Sequence, residues 1–435
     1  METRTLTDEP ESTRLRLGRP YLRIAVVVAF AAGILGLGYF GPHAGPSASS
    51  GSPSPSESRS AALAPGATQT LVPGSGPQQL TAVTGLTQMA GVPGEQISWL
   101  PLQITSDKPA LVGRRLFYVV GGDRIESSML GSNTDPQTLV TTPRCQAINQ
   151  LVAAGNYLLY VITEPAGPAA SIGGCDTFGG VLGWTLKLVD LRTGASRTLA
   201  QGQRLRTSID IDEFPIHVAA TATAYAFDRP NAASDSGGDE TVEVHSFDGR
   251  TLWTTTSQGH VADVSLGGDE LAVVTQTPWP KRGTSVLWLA NAANHQLLEI
   301  SQPASSASLS ADGLYLTWDL TLRVGLSPTL RPDIAVMDTA SGDTTFLPLL
   351  TTAGPLTTAR PVVTRTVRGP LVSWLATAPD GTVYPAFSWL GGRSGFLESV
   401  QQPVWTALQG TTMVWVAEGR DGWSAVAFEA DLAGQ

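Results

Sequence analysis

Leu188-Val189-Asp190-Leu191-Arg192-Thr193-Gly194 leads into Ser196 to Leu199. The same arrangement returns as Val336-Met337-Asp338-Thr339-Ala340-Ser341-Gly342 before Thr344 to Leu347. A third copy, Trp288-Leu289-Ala290-Asn291-Ala292-Ala293-Asn294, precedes Gln296 to Ile300. Each reads as a strand, a small or acidic residue, Gly or Asn four positions later, and a second strand. Gly or Asn at that place suits a turn with positive φ, which the β-carbon of most residues disfavours. Asp248-Gly249 marks a tighter hairpin in the same role.

Working outward, a second strand pair precedes each hairpin. Examples are Ile148–Ala153 with Tyr157–Thr163, Val261–Leu266 with Leu271–Gln276, and Ala307–Ser310 with Leu314–Trp318. Pro361–Thr366 with Leu371–Ala376 and Val404–Leu408 with Met413–Ala417 continue the series. The second strand of each unit begins near residue 116, 157, 222, 271, 314, 371 or 413, a spacing of 41 to 65. Four short strands per unit at that period point to an all-β fold, a seven-bladed β-propeller. A count of six or eight stays open, because the long third unit has room for further strands. The last unit stops after its third strand near Phe428, so a strand from residues 79–104 is expected to complete it and close the ring.

The repeat resembles the WD40-like and TolB-like propellers of bacterial envelope proteins, over roughly residues 81–435. Two details depart from the relatives. The single WD dipeptide, Trp318-Asp319, falls at the end of a second strand, where the WD40 family does not place it. Tyr118-Val119-Val120-Gly121-Gly122 is similar to a kelch strand ending but occurs once. The resemblance implies a binding or scaffold role outside the cytoplasm.

The N-terminal part has a different character. Ile24 to Phe40 is a run of 17 uncharged residues, preceded by Arg14, Arg16, Arg19 and Arg23. Such a run reads as one transmembrane helix (24–40), slightly short of a bilayer core and extended by Tyr21, Leu22 and a snorkelling Arg23. The basic flank places residues 1–23 in the cytoplasm as a short tail and the rest outside. The alternative, a cleaved signal peptide, has a shorter apolar run and a small-residue cleavage site. Residues 41–80 hold 28 Gly, Pro, Ser or Ala out of 40 and read as a disordered linker. The expected location is therefore a bacterial cell membrane, single-pass, with the propeller (81–435) extracytoplasmic.

Charge and motifs narrow the function. The chain carries 27 basic and 37 acidic residues, a formal charge of −10, which argues against a nucleic-acid partner. There is no H-E-x-x-H, G-x-S-x-G, P-loop or C-x-x-C, and no cofactor or metal is expected. Asp228, Asp235, Asp239 and Glu240 form one acidic cluster and Asp210, Asp212 and Glu213 another. Neither has calcium-loop spacing, and both read as solvated acid. The insertions, Glu164–Val181, Asp228–Glu240, Thr277–Gly283 and Asp319–Pro332, all fall between second and third strands and so emerge on one face. Within them Trp279, Lys281, Arg282, Asp228 and Arg229 are the candidate binding residues. Cys145 and Cys175 are expected to lie on the same face as a disulfide, closing a loop of about 30 residues and contributing about 3–4 kcal/mol. The tryptophans on strands, Trp288, Trp318, Trp374 and Trp415, read as inter-blade core.

The first functional reading is a membrane-anchored scaffold that docks an envelope protein or glycan. The alternative is an envelope polysaccharide hydrolase or lyase whose acids come from separate blades. The mouth of the central channel discriminates between them: converging carboxylates, or His with an acid, favour the enzyme.

Overall fold

The repeating hairpin is organised by an acceptor side chain. Asp190 Oδ1 accepts from the N–H of Arg192 at 2.8 Å and of Thr193 at 3.2 Å. Asp338 Oδ1 does the same for Ala340 and Ser341. Gly194 and Gly342 then close onto the Asp190 and Asp338 carbonyls, with φ of 74° and 77°. In the third copy the hub is Asn291, whose Oδ1 accepts from Ala293 and Asn294 at 3.1 Å. The positive φ, 55°, falls on His295 and not on Asn294. The expected turn position moves by one residue because the hydrogen-bonding side chain sets the frame, and Ala290 has none to offer.

The structure is a computed structural model. It describes residues 80–82, 86–89, 94–102, 108–166, 181–205, 215–229, 239–257, 259–276, 285–301, 304–320, 333–348, 360–378, 382–390, 393–397, 400, 402–419 and 422–430. Three strands come first: β1 (Leu80–Ala82), β2 (Thr87–Met89) and β3 (Gly94–Leu102). Blade 1 is β4 (Ala110–Val112), β5 (Arg115–Val120), β6 (Arg124–Met129) and β7 (Gln137–Thr141). Blade 2 is β8 (Ala147–Ala154), β9 (Tyr157–Ala166), β10 (Val181–Asp190) and β11 (Ser196–Leu205). Blade 3 is β12 (Val218–Ala220), β13 (Ala224–Arg229), β14 (Thr241–Ser246) and β15 (Thr251–Thr256). Blade 4 is β16 (His260–Gly267), β17 (Glu270–Gln276), β18 (Val286–Asn291) and β19 (Leu298–Ser301). Blade 5 is β20 (Ala307–Leu309), β21 (Tyr315–Asp319), β22 (Asp333–Asp338) and β23 (Thr344–Pro348). Blade 6 is β24 (Val362–Thr366), β25 (Gly369–Thr377), β26 (Val383–Trp389) and β27 (Ser394–Leu397). Blade 7 is β28 (Pro403–Gln409), β29 (Thr412–Gly419) and β30 (Gly422–Ala430), completed by β3.

The chain is thus a seven-bladed β-propeller, every blade an antiparallel meander from the axis outward. The second strands are apolar on both faces because each is sandwiched between neighbouring blades: Ala224 to Asp228 are all buried in β13, and Leu271 to Thr275 in β17. Outer strands alternate instead, as in β15, where only Trp253 and Thr255 are buried. The buried apolar residues described fall into seven clusters, one at each blade–blade interface, so the ring is closed. Trp318, Trp374 and Trp415 are fully buried in three of them, whereas Trp288 is only half-buried.

Closure follows the expected route, with β3 antiparallel to β30 from Gly94↔Ala430 to Leu102↔Trp423. The upstream residues do not extend that strand. β1 adds parallel to the outer strand of blade 5 and β2 to that of blade 6, so Leu80 belongs to the ring and not to the linker. An outer strand presents unpaired backbone groups, and these short segments cover them. Among the described residues no helix is long and apolar enough to cross a membrane, and residues 1–79, with the 24–40 segment, lie outside them.

Inner and third strands begin on one face, where second and outer strands end. That face carries every 2→3 and 4→1 connection, and we call it the insertion face. The other, the hairpin face, carries the 1→2 and 3→4 turns.

Candidate functional site

The starts of the inner strands bring polar residues from different blades to the axis on the insertion face. Lys108 precedes β4, His217 precedes β12, His260 opens β16 and Arg360 precedes β24. Asp263 lies three residues into β16, just after a bulge. Its carboxylate accepts from the N–H of Val264 at 3.0 Å and of Ala307, in blade 5, at 3.1 Å. Desolvation is the largest influence on Asp263 and raises its pKa, against the charges of Lys108 and His217 and these two N–H donors. Lys108 is exposed to solvent at its position before β4. Desolvation lowers the Lys108 pKa; Asp263 opposes the shift and Arg360 reinforces it. The same desolvation disfavours the charged form of both groups.

Beside them lie two buried histidines, each against a carboxylate. The N–H of His217 donates to Asp228 Oδ1, and its ring Nδ1 is 3.5 Å from the same oxygen. His260 Nδ1 is 3.0 Å from Glu240 Oε1, while the N–H of Val261 donates to Glu240 Oε2 at 2.8 Å. Arg204, from the outer strand of blade 2, reaches across to His260 at 2.8 Å and donates to the Pro215 carbonyl at 3.0 Å. Its guanidinium is 3.7 Å from Glu240. The two imidazole centroids are 6.5 Å apart at 62°. These contacts lock blades 2, 3 and 4 together at the mouth. Arg360 stacks over Trp405 at 3.6 Å and donates to the Val404 carbonyl at 2.9 Å, joining blades 6 and 7. Among the described residues no three His, Cys, Asp or Glu side chains converge as a metal site.

The residues singled out from sequence fare differently. Trp279, Lys281 and Arg282 lie outside the described residues, as do the first cluster's Asp235 and all of the second cluster. Asp228 is fully buried and Glu240 only 4% exposed, so neither is solvated acid: a histidine partner holds each inside. Asp228 therefore positions His217 and does not itself reach the loop surface. Arg229 is exposed, 2.7 Å from Glu243, and its guanidinium lies over Phe227 at 5.4 Å. Its pKa is raised, chiefly by the Glu243 hydrogen bond. Cys145 is not a free thiol, and Cys175 lies outside the described residues. Sequence reasoning passed over Lys108, Asp263, Arg204, Arg360 and the two histidines. The signal was present: His217 and His260 are 43 residues apart, one blade period, each at the head of an inner strand.

No known protein family matches the chain, and no curated protein does. Several solved structures align with part of the chain. An oligogalacturonate lyase from Vibrio parahaemolyticus aligns with TM-score 0.39 and 13% identity, over 72% of this chain and 74% of that one. A prolyl endopeptidase aligns with TM-score 0.43 and 12% identity, over 74% of this chain and 46% of that one. BamB from Moraxella catarrhalis aligns with TM-score 0.42 and 10% identity, over 77% of this chain and 99% of that one. Likeness at this level concerns architecture alone and transfers no residue roles.

Proposed function

We propose that the chain is a single-pass protein of a bacterial cell membrane, with a cytoplasmic N-terminus, a 24–40 anchor and a linker that holds the propeller outside. On this reading the insertion face docks an envelope protein or glycan. The observation that carries it is the asymmetry of the ring. The long connections, such as those after Ala166, Arg229, Gln276 and Asp319, all leave the face where the mixed-charge mouth lies. Long loops on a rigid scaffold are the usual seat of recognition. The entry of the chain supports the same orientation. Leu80 pairs with Thr344, just past a hairpin-face turn, so the chain joins the ring from the side away from the insertion loops. A Cys145–Cys175 bond would clip the blade 2 insertion to the head of that blade.

A second reading, an envelope polysaccharide hydrolase or lyase, draws on the His–carboxylate pairs at the mouth. His217 and His260 are only 3% and 7% exposed, so both are sealed from a substrate. Lys108 is exposed to solvent, and a lyase would use its amine, whose pKa desolvation lowers, as the base.

The test is capture by the full-length chain in detergent micelles from solubilised envelope extract, beside a Trp279→Ala/Arg282→Ala variant. A protein or glycan retained by wild type and lost by the variant is expected. Cleavage of an acidic polysaccharide, abolished by Lys108→Met, would replace docking with the enzyme reading.

A further inference from the structure

Away from the axis, one hairpin breaks the pattern of its siblings. At the turn position where blades 2 and 5 place Gly194 and Gly342, blade 4 places His295 in the left-handed region. A side chain is uncommon there, and His is among the residues that adopt this region more readily. The backbone at this turn sets where the ring lies. His295 Nε2 donates to the Ala292 carbonyl at 2.8 Å, and the imidazole lies flat on Trp253 of blade 3, centroids 5.2 Å apart and 8° from parallel.

The stacked ring forms part of a cleft of ≈ 370 Å³ between the outer edges of blades 3 and 4. That volume is within the range of small-ligand sites. Half-buried Trp288 lines the cleft, its indole N–H donating to Thr275 Oγ1 at 2.8 Å. Asn294, Gln296, Thr255 and Thr256 complete the polar lining. Asn294 Oδ1 already accepts from the Gln296 N–H at 3.1 Å, which leaves its amide N–H groups for another partner. With Nε2 donating to Ala292, the neutral ring keeps Nδ1 as an acceptor. Among the described residues no Asp, Glu, Lys or Arg lines the cleft.

We infer that this lateral cleft is a binding site for a neutral saccharide. Aromatic rings offer an apolar surface to the C–H face of a sugar, and amide, hydroxyl and imidazole groups match its hydroxyls. An ionic ligand would be desolvated there without a counter-charge. The site is independent of docking on the insertion face, and its failure leaves that reading intact.

The test is saturation-transfer NMR and calorimetry on the full-length chain in detergent micelles, with maltotriose, cellotriose, chitotriose and trigalacturonate as probes. At least one neutral trisaccharide should bind. His295→Gly, which suits the backbone of its siblings, should weaken binding about tenfold or more, and Asn294→Ala/Gln296→Ala likewise, with cooperative thermal unfolding retained. No contact with any neutral trimer, equal binding by both variants, or preference for trigalacturonate would overturn the assignment.

Discussion

Two aspartates, one on each face of the ring, are treated in opposite ways. Asp312 sits in the 1→2 turn of blade 5, on the hairpin face. Desolvation pushes its pKa up, but the Ser310 hydroxyl at 2.6 Å, Arg365 of blade 6 at 3.1 Å and the Leu314 N–H outweigh it, and the carboxyl lies below its usual range. Asp263, on the insertion face, is raised instead, since burial there exceeds the help of Lys108, the Ala307 and Val264 N–H groups and His217. On the hairpin face Asp312 binds blades 5 and 6 together, whereas on the insertion face Asp263 is held at a cost to stability, as charges at functional sites commonly are.

The comparison can be broken where the insertion face is most heavily committed. Glu240→Ala would leave Arg204 and His260 buried without their carboxylate. A loss of about 3–5 kcal/mol is expected in chemical denaturation. A loss under about 1 kcal/mol would mean the pair is hydrated and the mouth is open.

On the hairpin face the sensitive point is steric. A β-carbon on Gly267 would lie 2.0 Å from the Ser310 carbonyl, where the turns of blades 4 and 5 meet. Gly267→Ala should cost about 1–3 kcal/mol while leaving ligand capture intact once folded. Capture lost without a loss of stability would place function on this face.

The smallest effect is the most diagnostic for sign. Asp312 has a lowered pKa, so its contribution is present above the unfolded value and is lost as pH falls through the folded one. Asp263 has a raised pKa, so its ionisation costs stability as pH rises from the unfolded value through the folded one. Relative to wild type, Asp263→Asn should therefore gain stability with rising pH across the carboxylate range, and Asp312→Asn should lose it. Parallel slopes in urea titrations would remove the distinction between the faces.

How far this could be read from sequence depends on where each signal resides. The propeller was legible because its repeats are local: Asp190 with Gly194, and Asp338 with Gly342, spell a turn within five residues. The start of every second strand falls within two residues of its expected place, from Arg115 to Thr412. β1 and β2 were not legible, since three residues are too few for a period-two pattern, and their pairing is decided by the exposed edges of blades 5 and 6. The axial mouth was hidden for another reason. Glu240 and His260 belong to different blades, as do Asp263 and Ala307, and only ring closure makes neighbours of Lys108 and Asp263. Asp228 looked like loop acid because it lies next to the end of a strand that enters an insertion; the pairing of β12 with β13 turns it inward against His217.

The central claim is that recognition happens on the insertion face. The most direct measurement places a photo-crosslinking amino acid in the full-length chain, in cells, at Arg229 or Glu164 on that face and at Asp248 or Val367 on the other. Discrete adducts from the first pair and none from the second are expected. Adducts from Asp248 or Val367 alone, or equally from all four positions, would contradict the account.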